Sequence, residues 1–323
     1  MTNSAPAAPA RVAGAALGFV AAAGLAAFTY GSLIERRRYQ VRQEVVPILA
    51  TGARPITVLH LSDIHMAGWQ REKQDWIARI AELVEPDLVI ETGDMLERND
   101  GIAGVRRALA PLRGVPGAFV HGAHDYTASR FRNPFRYFAG PSQAHERAND
   151  LDTARLDRFL EDDLGWWDLR NAARAVELRG SLLEFFGVDD PHIDLDELDR
   201  LPGIVDEMRE SVPWGSRDEV VTIALTHSPY RRVLDAFTTQ GADIIFAGHT
   251  HGGQVRIPGL PALVTNCDIP REQASGLSLW HHARRTAYLE VSQGIGTGIF
   301  APVRFACPPE AVVLTLVARD LVG

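Results

Sequence analysis

Hydrophobic positions along the chain fall into two regimes. An uninterrupted apolar stretch occupies residues 12–34 (VAGAALGFVAAAGLAAFTYGSLI), bounded by Arg11 and Glu35. After residue 54, short apolar runs alternate with segments whose apolar residues recur at helical spacing. PITVLHL (55–61), DLVIET (87–92) and GAFVH (117–121) read as strands. QREKQDWIARIAELV (70–84) puts Trp76, Ile77, Ile80, Leu83 and Val84 on one helical face, and 101–112 reads as a second helix stopping near Pro111. Strand, helix, strand, helix, strand predicts a layered α/β fold. Beyond residue 127 the pattern loosens. Leu151, Leu156, Phe159 and Leu160 predict a helix, 175–180 and 182–188 short strands, and 196–211 and 230–239 helices. EVVTIALT (219–226) and ADIIFA (242–247) are strand-like, as are the closing runs 286–292 and 311–317.

The N-terminal stretch is long enough to cross a bilayer, which takes about 20 apolar residues as a helix. A single-pass anchor, a cleaved signal peptide and a buried Ala-rich helix all fit its composition. Its length exceeds a usual signal-peptide core and favours the anchor. Arg36, Arg37, Arg38 and Arg42 follow it and only Arg11 precedes it, which favours a cytoplasmic main domain. The same arginines suit a clamp on an anionic lipid surface. The expected organisation is a tail (1–11), a transmembrane anchor (12–34), a linker (35–54) and one large domain (55–323).

Composition narrows the function. The chain of 323 residues is 46% hydrophobic and 23% charged, which excludes a disordered or collagen-like chain. With 33 Lys+Arg against 41 Asp+Glu, its net charge of -8 argues against binding nucleic acid by phosphate neutralisation. Two cysteines, Cys267 and Cys307, are too few for a zinc ribbon or a disulfide scaffold. They read as buried thiols, with a single bridge between them left open.

Five strand-like runs end in metal-competent residues: Asp63 and His65, Asp94, His124 and Asp125, His227, and His249 and His251. Sites in α/β folds collect beyond the carboxyl ends of strands. A Gly-Asp or a lone His alone is an ordinary turn or a hydrogen-bonded side chain. The ordered set Asp-x-His, Gly-Asp, Gly-x-His-Asp, His, Gly-His-x-His resembles the calcineurin-like metallophosphoesterase family over residues 55–318. With Gly-Val-Asp-Asp-Pro-His (187–192) and Gly-His-Thr-His-Gly-Gly-Gln (248–254), it looks closest to a membrane-anchored or exported bacterial branch. Some of those relatives resemble the enzyme that cleaves the pyrophosphate of a UDP-acylated glucosamine.

The resemblance implies a four-layer α/β/β/α sandwich with two divalent metal ions at one edge. Asp63, His65 and His251 would hold one metal, His227 and His249 the other, and Asp94 would bridge both. His124 would face the substrate. A metal-held water would then attack phosphorus in a phosphodiester, pyrophosphate or phosphomonoester. Mixed nitrogen and oxygen donors suit Mn, Fe or Zn better than Mg or Ca. The partner would be a phosphorylated small molecule or lipid head group, and the protein would sit on a membrane.

One position departs from the family. Where its members carry Asn, whose carbonyl oxygen binds the second metal, this chain has Ala123. Asp125 and His121 are the local candidates to compensate. Without compensation the alternative is a weakened, membrane-tethered metal-binding or sensor protein. YTASRFRNPFRYF (126–138) begins beside the fourth motif, and its Tyr126, Arg130, Arg132 and Arg136 are candidate substrate contacts. A solvated loop with aromatics in a satellite core is the plainer reading. Asp189, Asp190 and His192 read as a turn that orients metal-bound histidines. Gly294-Ile-Gly-Thr-Gly298 lacks the Lys-Ser/Thr of a P-loop and reads as a tight turn beside the site.

Overall fold

The computed structural model describes residues 8–129, 150–212 and 219–321. Its centre is two six-stranded sheets. The first runs, edge to edge, β1 (Gln40–Leu49), β12 (Glu310–Ala318), β2 (Ile56–Leu61), β3 (Leu88–Glu91), β4 (Gly117–Phe119) and β5 (Trp167–Asp168). The second runs β10 (Gly276–His282), β11 (Arg285–Val291), β9 (Ile244–Ala247), β8 (Val220–Leu225), β7 (Ser181–Gly187) and β6 (Ala172–Leu178). Strands β2 to β5 are mutually parallel, as are β7, β8 and β9, so each group sends its carboxyl ends to one edge.

Side chains alternate across a strand, so each sheet serves two cores. In β2, Val58 points into the core between the sheets with Ile90, Phe185, Ile223, Phe246 and Leu314. Its neighbour Leu59 points the other way, into a core shared with Ile77 of α2 (Arg71–Val84) and Val105 of α3 (Gly101–Ala108). The second sheet buries Phe186 and Ala224 against Val205 and Phe237, from the helices Leu201–Ser211 and Arg231–Thr239. The result is the expected α/β/β/α sandwich.

Two details differ from the sequence reading. The segment 35–54, read as a linker, contains β1, which pairs in parallel with β12 from Gln40 opposite Glu310 onward. It is a sheet edge whose buried apolar residues sit late, at Val46, Ile48 and Leu49, behind a polar start. Helix α2 buries Ile77 and Ala81, whereas Leu83 remains 73% exposed. Helix α1 (Ala8–Leu33) is, among the described residues, the one helix long and apolar enough to cross a membrane, over Leu17–Arg37.

His60 lies fully buried in β2, with Nε2 2.9 Å from the Thr92 hydroxyl. Burial, reinforced by the charge of Arg42, pushes its pKa down to about 3. The unfolded chain therefore takes up this proton more readily than the folded one. The contribution is intact above the ordinary histidine pKa of about 6.5 and is lost as pH falls toward the folded value. The expected slope from this residue is about 1.4 kcal/mol per pH unit within that window. Urea denaturation of the His60→Gln variant from pH 7 to 4 should show a shallower acid dependence than the parent; an identical dependence would count against a neutral buried imidazole.

Candidate metal centre

Both sheets deliver residues to one place. Asp63 and His65 follow β2, Asp94 follows β3, and His124 sits in the short helix Ala123–Tyr126 after β4. His227 follows β8, and His249 and His251 follow β9. The turns are locked to one another through the backbone. Asp63 N–H donates to the Gly93 carbonyl (2.9 Å), His65 N–H to that of Asp94 (2.9 Å), and Gly248 N–H to that of His227 (2.9 Å). Five of these residues adopt left-handed backbone: Asp63, His65, Asp94, His249 and His251, with φ between 44° and 68°. Non-glycine residues in this region are strained and cluster at functional sites. Gly248 must be glycine here, because a Cβ would lie 1.9 Å from Ser62 Oγ and 2.5 Å from Asp63 Oδ2.

Three overlapping groups bring ligand atoms within 4.8 Å of one another: Asp63, His65 and His251; His65, Asp94 and His124; and Asp63, Asp94 and His227. Asp94 links them. Its Oδ2 is 3.6 Å from His65 Nε2 and 3.3 Å from His227 Nε2, while Oδ1 accepts the His124 N–H at 2.8 Å. His249 is in none of the three groups; its backbone N–H donates to the two Asp63 carboxylate oxygens at 3.2 and 3.0 Å, and its ring packs 5.2 Å from that of His227.

The imidazoles are oriented from behind. His227 Nδ1 donates to the Thr92 carbonyl at 2.6 Å, which leaves Nε2 buried, facing Asp94 and without a hydrogen bond. His65 Nδ1 is paired with Glu97 Oε2 at 2.9 Å, and its Nε2 faces His251 Nε2 at 3.2 Å. His249 Nε2 lies 3.2 Å from the Asn266 carbonyl oxygen and 3.4 Å from its side-chain Nδ2. The Nε2 atoms of His65 and His227, 3.6 and 3.3 Å from Asp94, and of His251, 3.3 Å from Asp63, converge on two carboxylates, and the unpaired His227 Nε2 among them fits a divalent cation. The electrostatics agree. Burial opposes charge on His227, yet Asp94 holds its pKa well above the ordinary value. Burial likewise disfavours the Asp94 carboxylate, yet His227, His124 and His65 hold its pKa well below the usual range. Burial pushes His251 down to about 3, and burial with the nearby His192 and His227 keeps His249 well below its ordinary value.

Other candidate residues have defined places. His124 Nδ1 lies 3.1 Å from Ser129 Oγ, and its ring packs 4.9 Å from that of His65. The Tyr126 hydroxyl donates to the Asp189 carboxylate at 2.8 and 2.9 Å. Arg130, Arg132 and Arg136 lie outside the described residues. Asp190 Oδ1 accepts the His192 N–H and the hydroxyl of Ser228, next to His227, and the His192 ring packs 4.6 Å from that of His249 at a tilt of 47°. Of Asp125 and His121, the local candidates to offset Ala123, Asp125 is engaged elsewhere and His121 only through one ring nitrogen, its buried Nδ1 having no hydrogen bond. Asp125 accepts the N–H groups of Asp94, Leu96 and Gly122, and His121 Nε2 pairs with Asp157 at 2.7 Å. Both cysteines are buried free thiols.

Sequence reasoning did not single out Glu97, Thr92, Asn266 or Arg304. Glu97 is a fully buried acid three residues after Asp94, but that spacing carries no known signature. Arg304 is fully buried behind His251, with Nη2 3.3 Å from its Nδ1 and 2.6 Å from the Gly296 carbonyl. Because Glu97 fixes the His65 tautomer, Glu97→Gln should weaken metal binding about 10- to 100-fold, the usual cost of removing such a partner. Isothermal titration of the metal-stripped protein with Mn²⁺ measures it, and unchanged affinity would remove the orienting role.

The sequence profile of the calcineurin-like phosphoesterases matches residues 56–253, more than half of the chain and the full span of the converging motifs. The chain belongs to that family and is a metallophosphoesterase. It is 27% identical over 301 residues to an uncharacterized metallophosphoesterase of Aquifex aeolicus, covering 89% of this chain and 93% of the relative. It is also 27% identical over 219 residues to a bovine transmembrane protein with a metallophosphoesterase domain, covering 65% of this chain but 44% of that protein. Among solved structures, TT1561 of Thermus thermophilus aligns with a TM-score of 0.41 at 11% identity, covering 75% of this chain and 91% of that one. Phosphopantetheinyl hydrolase of Mycobacterium tuberculosis aligns with a TM-score of 0.36 at 18% identity, covering 76% and 90%.

Proposed function

We propose that this protein hydrolyses a phosphodiester or pyrophosphate bond of an organic phosphate at two divalent metal ions, with α1 holding the domain on a membrane. The observation that carries the reading is Asp94, whose carboxylate faces a histidine of each sheet, His65 and His227, both buried. Asp63, His65 and His251 would hold one metal, His227 and His249 the second, with Asp94 shared. The donor set favours Mn, Fe or Zn. Such cations supply Lewis acidity and a water of lowered pKa. His124, partly buried and 3.1 Å from Ser129 Oγ, would bind a phosphoryl oxygen or protonate the leaving oxygen. A lipid-linked substrate, such as a nucleotide joined to an acylated sugar, accords with an apolar helix packed onto the loop behind His251.

The second reading, a metal-binding protein with weakened catalysis, is favoured by Ala123, whose side chain offers no donor. Metal content per chain, with turnover of bis-p-nitrophenyl phosphate and p-nitrophenyl phosphate in Mn²⁺, separates the two. About two metals with diester turnover supports the enzyme; one metal or none, without turnover in excess Mn²⁺, supports the weakened form. Alkaline carbonate extraction of membranes tests the anchor, which predicts that the chain stays in the pellet.

A further inference from the structure

The carboxyl end of α1 is built into the domain. The Gly31 carbonyl accepts the Arg304 N–H at 3.2 Å, and a Cβ on Gly31 would lie 2.6 Å from the Arg304 carbonyl oxygen. Tyr30 meets Phe305 edge-on at 6.2 Å, and buried Glu35 accepts the Cys307 N–H at 2.7 Å. Beside this junction is a cavity of about 250 Å³ whose walls include Arg36, Arg37, Tyr39, Trp69, Arg71 and Lys73.

The cavity is cationic and undercompensated. Three arginines, Arg36, Arg37 and Arg71, meet one acid there, Glu72, while buried Lys73 is spent on the carbonyls of Ile64 and His65 and on Gln70 Oε1. Elsewhere Arg42 meets Glu290 and Glu310, Arg170 meets Asp168 and Arg209 meets Glu184, while fully buried Arg304 is held by the carbonyls of Gln293, Gly294 and Gly296. Arg36 and Arg37 form no ion pair among the described residues, and Arg36 Nε is buried without a hydrogen bond. Arg71 donates to the neutral side chain of Gln74. A buried guanidinium nitrogen without a partner calls for an acceptor, and planar guanidinium groups suit phosphate oxygens.

The surroundings indicate where that phosphate comes from. Leu33, Ile34 and Trp69 are more than half exposed, so an apolar and aromatic rim adjoins the basic walls. Exposed Trp beside arginines at the end of an apolar helix is the arrangement of a membrane–water interface. The cavity is below the range of about 300–1,000 Å³ for drug-sized ligands. It suits a phosphate head group whose acyl chains run outside along α1. Its floor is the reverse of the Asp63–His65 turn. Gly296 N–H donates to the Asp63 carbonyl at 2.7 Å, and Lys73 Nζ donates to the carbonyls of Ile64 and His65 at 2.7 and 3.1 Å. No candidate metal ligand lines it.

We propose that this cavity binds the phosphate head group of an anionic bilayer phospholipid, at a site separate from the metal centre. The proposal rests on the membrane reading of α1. The test is native mass spectrometry of the delipidated full chain in detergent, titrated with phosphatidylglycerol, phosphatidylcholine or inorganic phosphate. The expected result is one phosphatidylglycerol per chain, bound at least about tenfold more tightly than phosphatidylcholine, whose choline cation the arginines repel. The double variant Arg36→Gln/Arg71→Gln should lose at least about tenfold in that affinity while keeping its metal content. Exposed Arg37→Glu should weaken it on its own without disturbing the fold. Arg38→Gln should leave it unchanged, because Arg38 is exposed, donates to the Tyr30 hydroxyl and lies outside the cavity.

Equal binding of the two lipids, no effect of either cavity variant, or an equal loss from Arg38→Gln would overturn the site. Inorganic phosphate binding as tightly as phosphatidylglycerol would reassign it to a soluble phosphate. Carbonate extraction keeps the failures apart: a chain released from membranes removes the anchor, whereas a chain retained there with no lipid preference removes only this site.

Discussion

Replacing Asp94 by Asn is expected to strip both metals and to lower turnover by about three orders of magnitude or more, the upper range for losing one preorganised electrostatic contact. Asp94 is the residue through which the two histidine groups meet. One oxygen lies 3.3 Å from His227 Nε2 and 3.6 Å from His65 Nε2, and the other fixes the N–H of His124. Asn keeps the size and one acceptor but removes the charge that draws cations. It also places a donor N–H₂ or a neutral oxygen where two histidine nitrogens converge. Metal analysis of the purified variant should give well under one ion per chain. Retention of two ions would show that Asp94 is dispensable as a bridge, and the assignment of the site would have to change.

Replacing Ala123 by Asn should act in the opposite direction. The preceding glycine is pressed against the site: a Cβ on Gly122 would lie 2.3 Å from Asp94 Oδ1 and 2.7 Å from His227 Nε2. Residue 123 follows directly, at the position where the resemblance implies an Asn whose carbonyl oxygen would bind the second metal. Of the two nearby alternatives, Asp125 accepts three backbone N–H groups, and His121 holds Asp157 through Nε2 while its buried Nδ1 faces Asp125 at 3.7 Å without a hydrogen bond. An added oxygen donor is expected to raise affinity for the second Mn²⁺ about 10- to 100-fold, on the scale by which a single supporting residue alters a metal site. Turnover at limiting Mn²⁺ should rise with it. Titration of the metal-stripped protein reads the affinity directly. If the variant binds no better than the parent, the second site is already complete and Ala123 is no defect.

Much of this site was readable from the chain because parallel strands are short, apolar and buried on both faces. The eye is led straight to the polar residues at their ends. Asp63, His65, Asp94, His227, His249 and His251 all stood out in this way. What escaped were residues whose role depends on contacts distant in sequence. Glu97 matters because it meets His65, 32 residues away, and Arg304 because it meets His251, 53 residues away. Neither has a periodic context that marks it. Strand β1 escaped for a related reason. Its polar start, with Arg42 and Glu44, resembles a solvated linker, and its partner β12 is the last strand of the chain. Only the pairing shows that Arg42 turns inward to Glu290 and Glu310.

The left-handed turns have a consequence for the life of the protein. Residues held in that region typically cost of the order of 1–3 kcal/mol each. Asp and His are among those that tolerate it best, so the low end applies. Five such residues at about 1 kcal/mol each would still consume a large share of the 5–15 kcal/mol by which a domain outlasts its unfolded form. An ion that binds only the folded chain restores stability, by about 4 kcal/mol when present at 1,000 times its dissociation constant. Newly made protein is therefore most exposed to proteolysis before it is loaded. On the two-metal reading, metal supply in the cell would set how much enzyme accumulates as well as how fast each copy works.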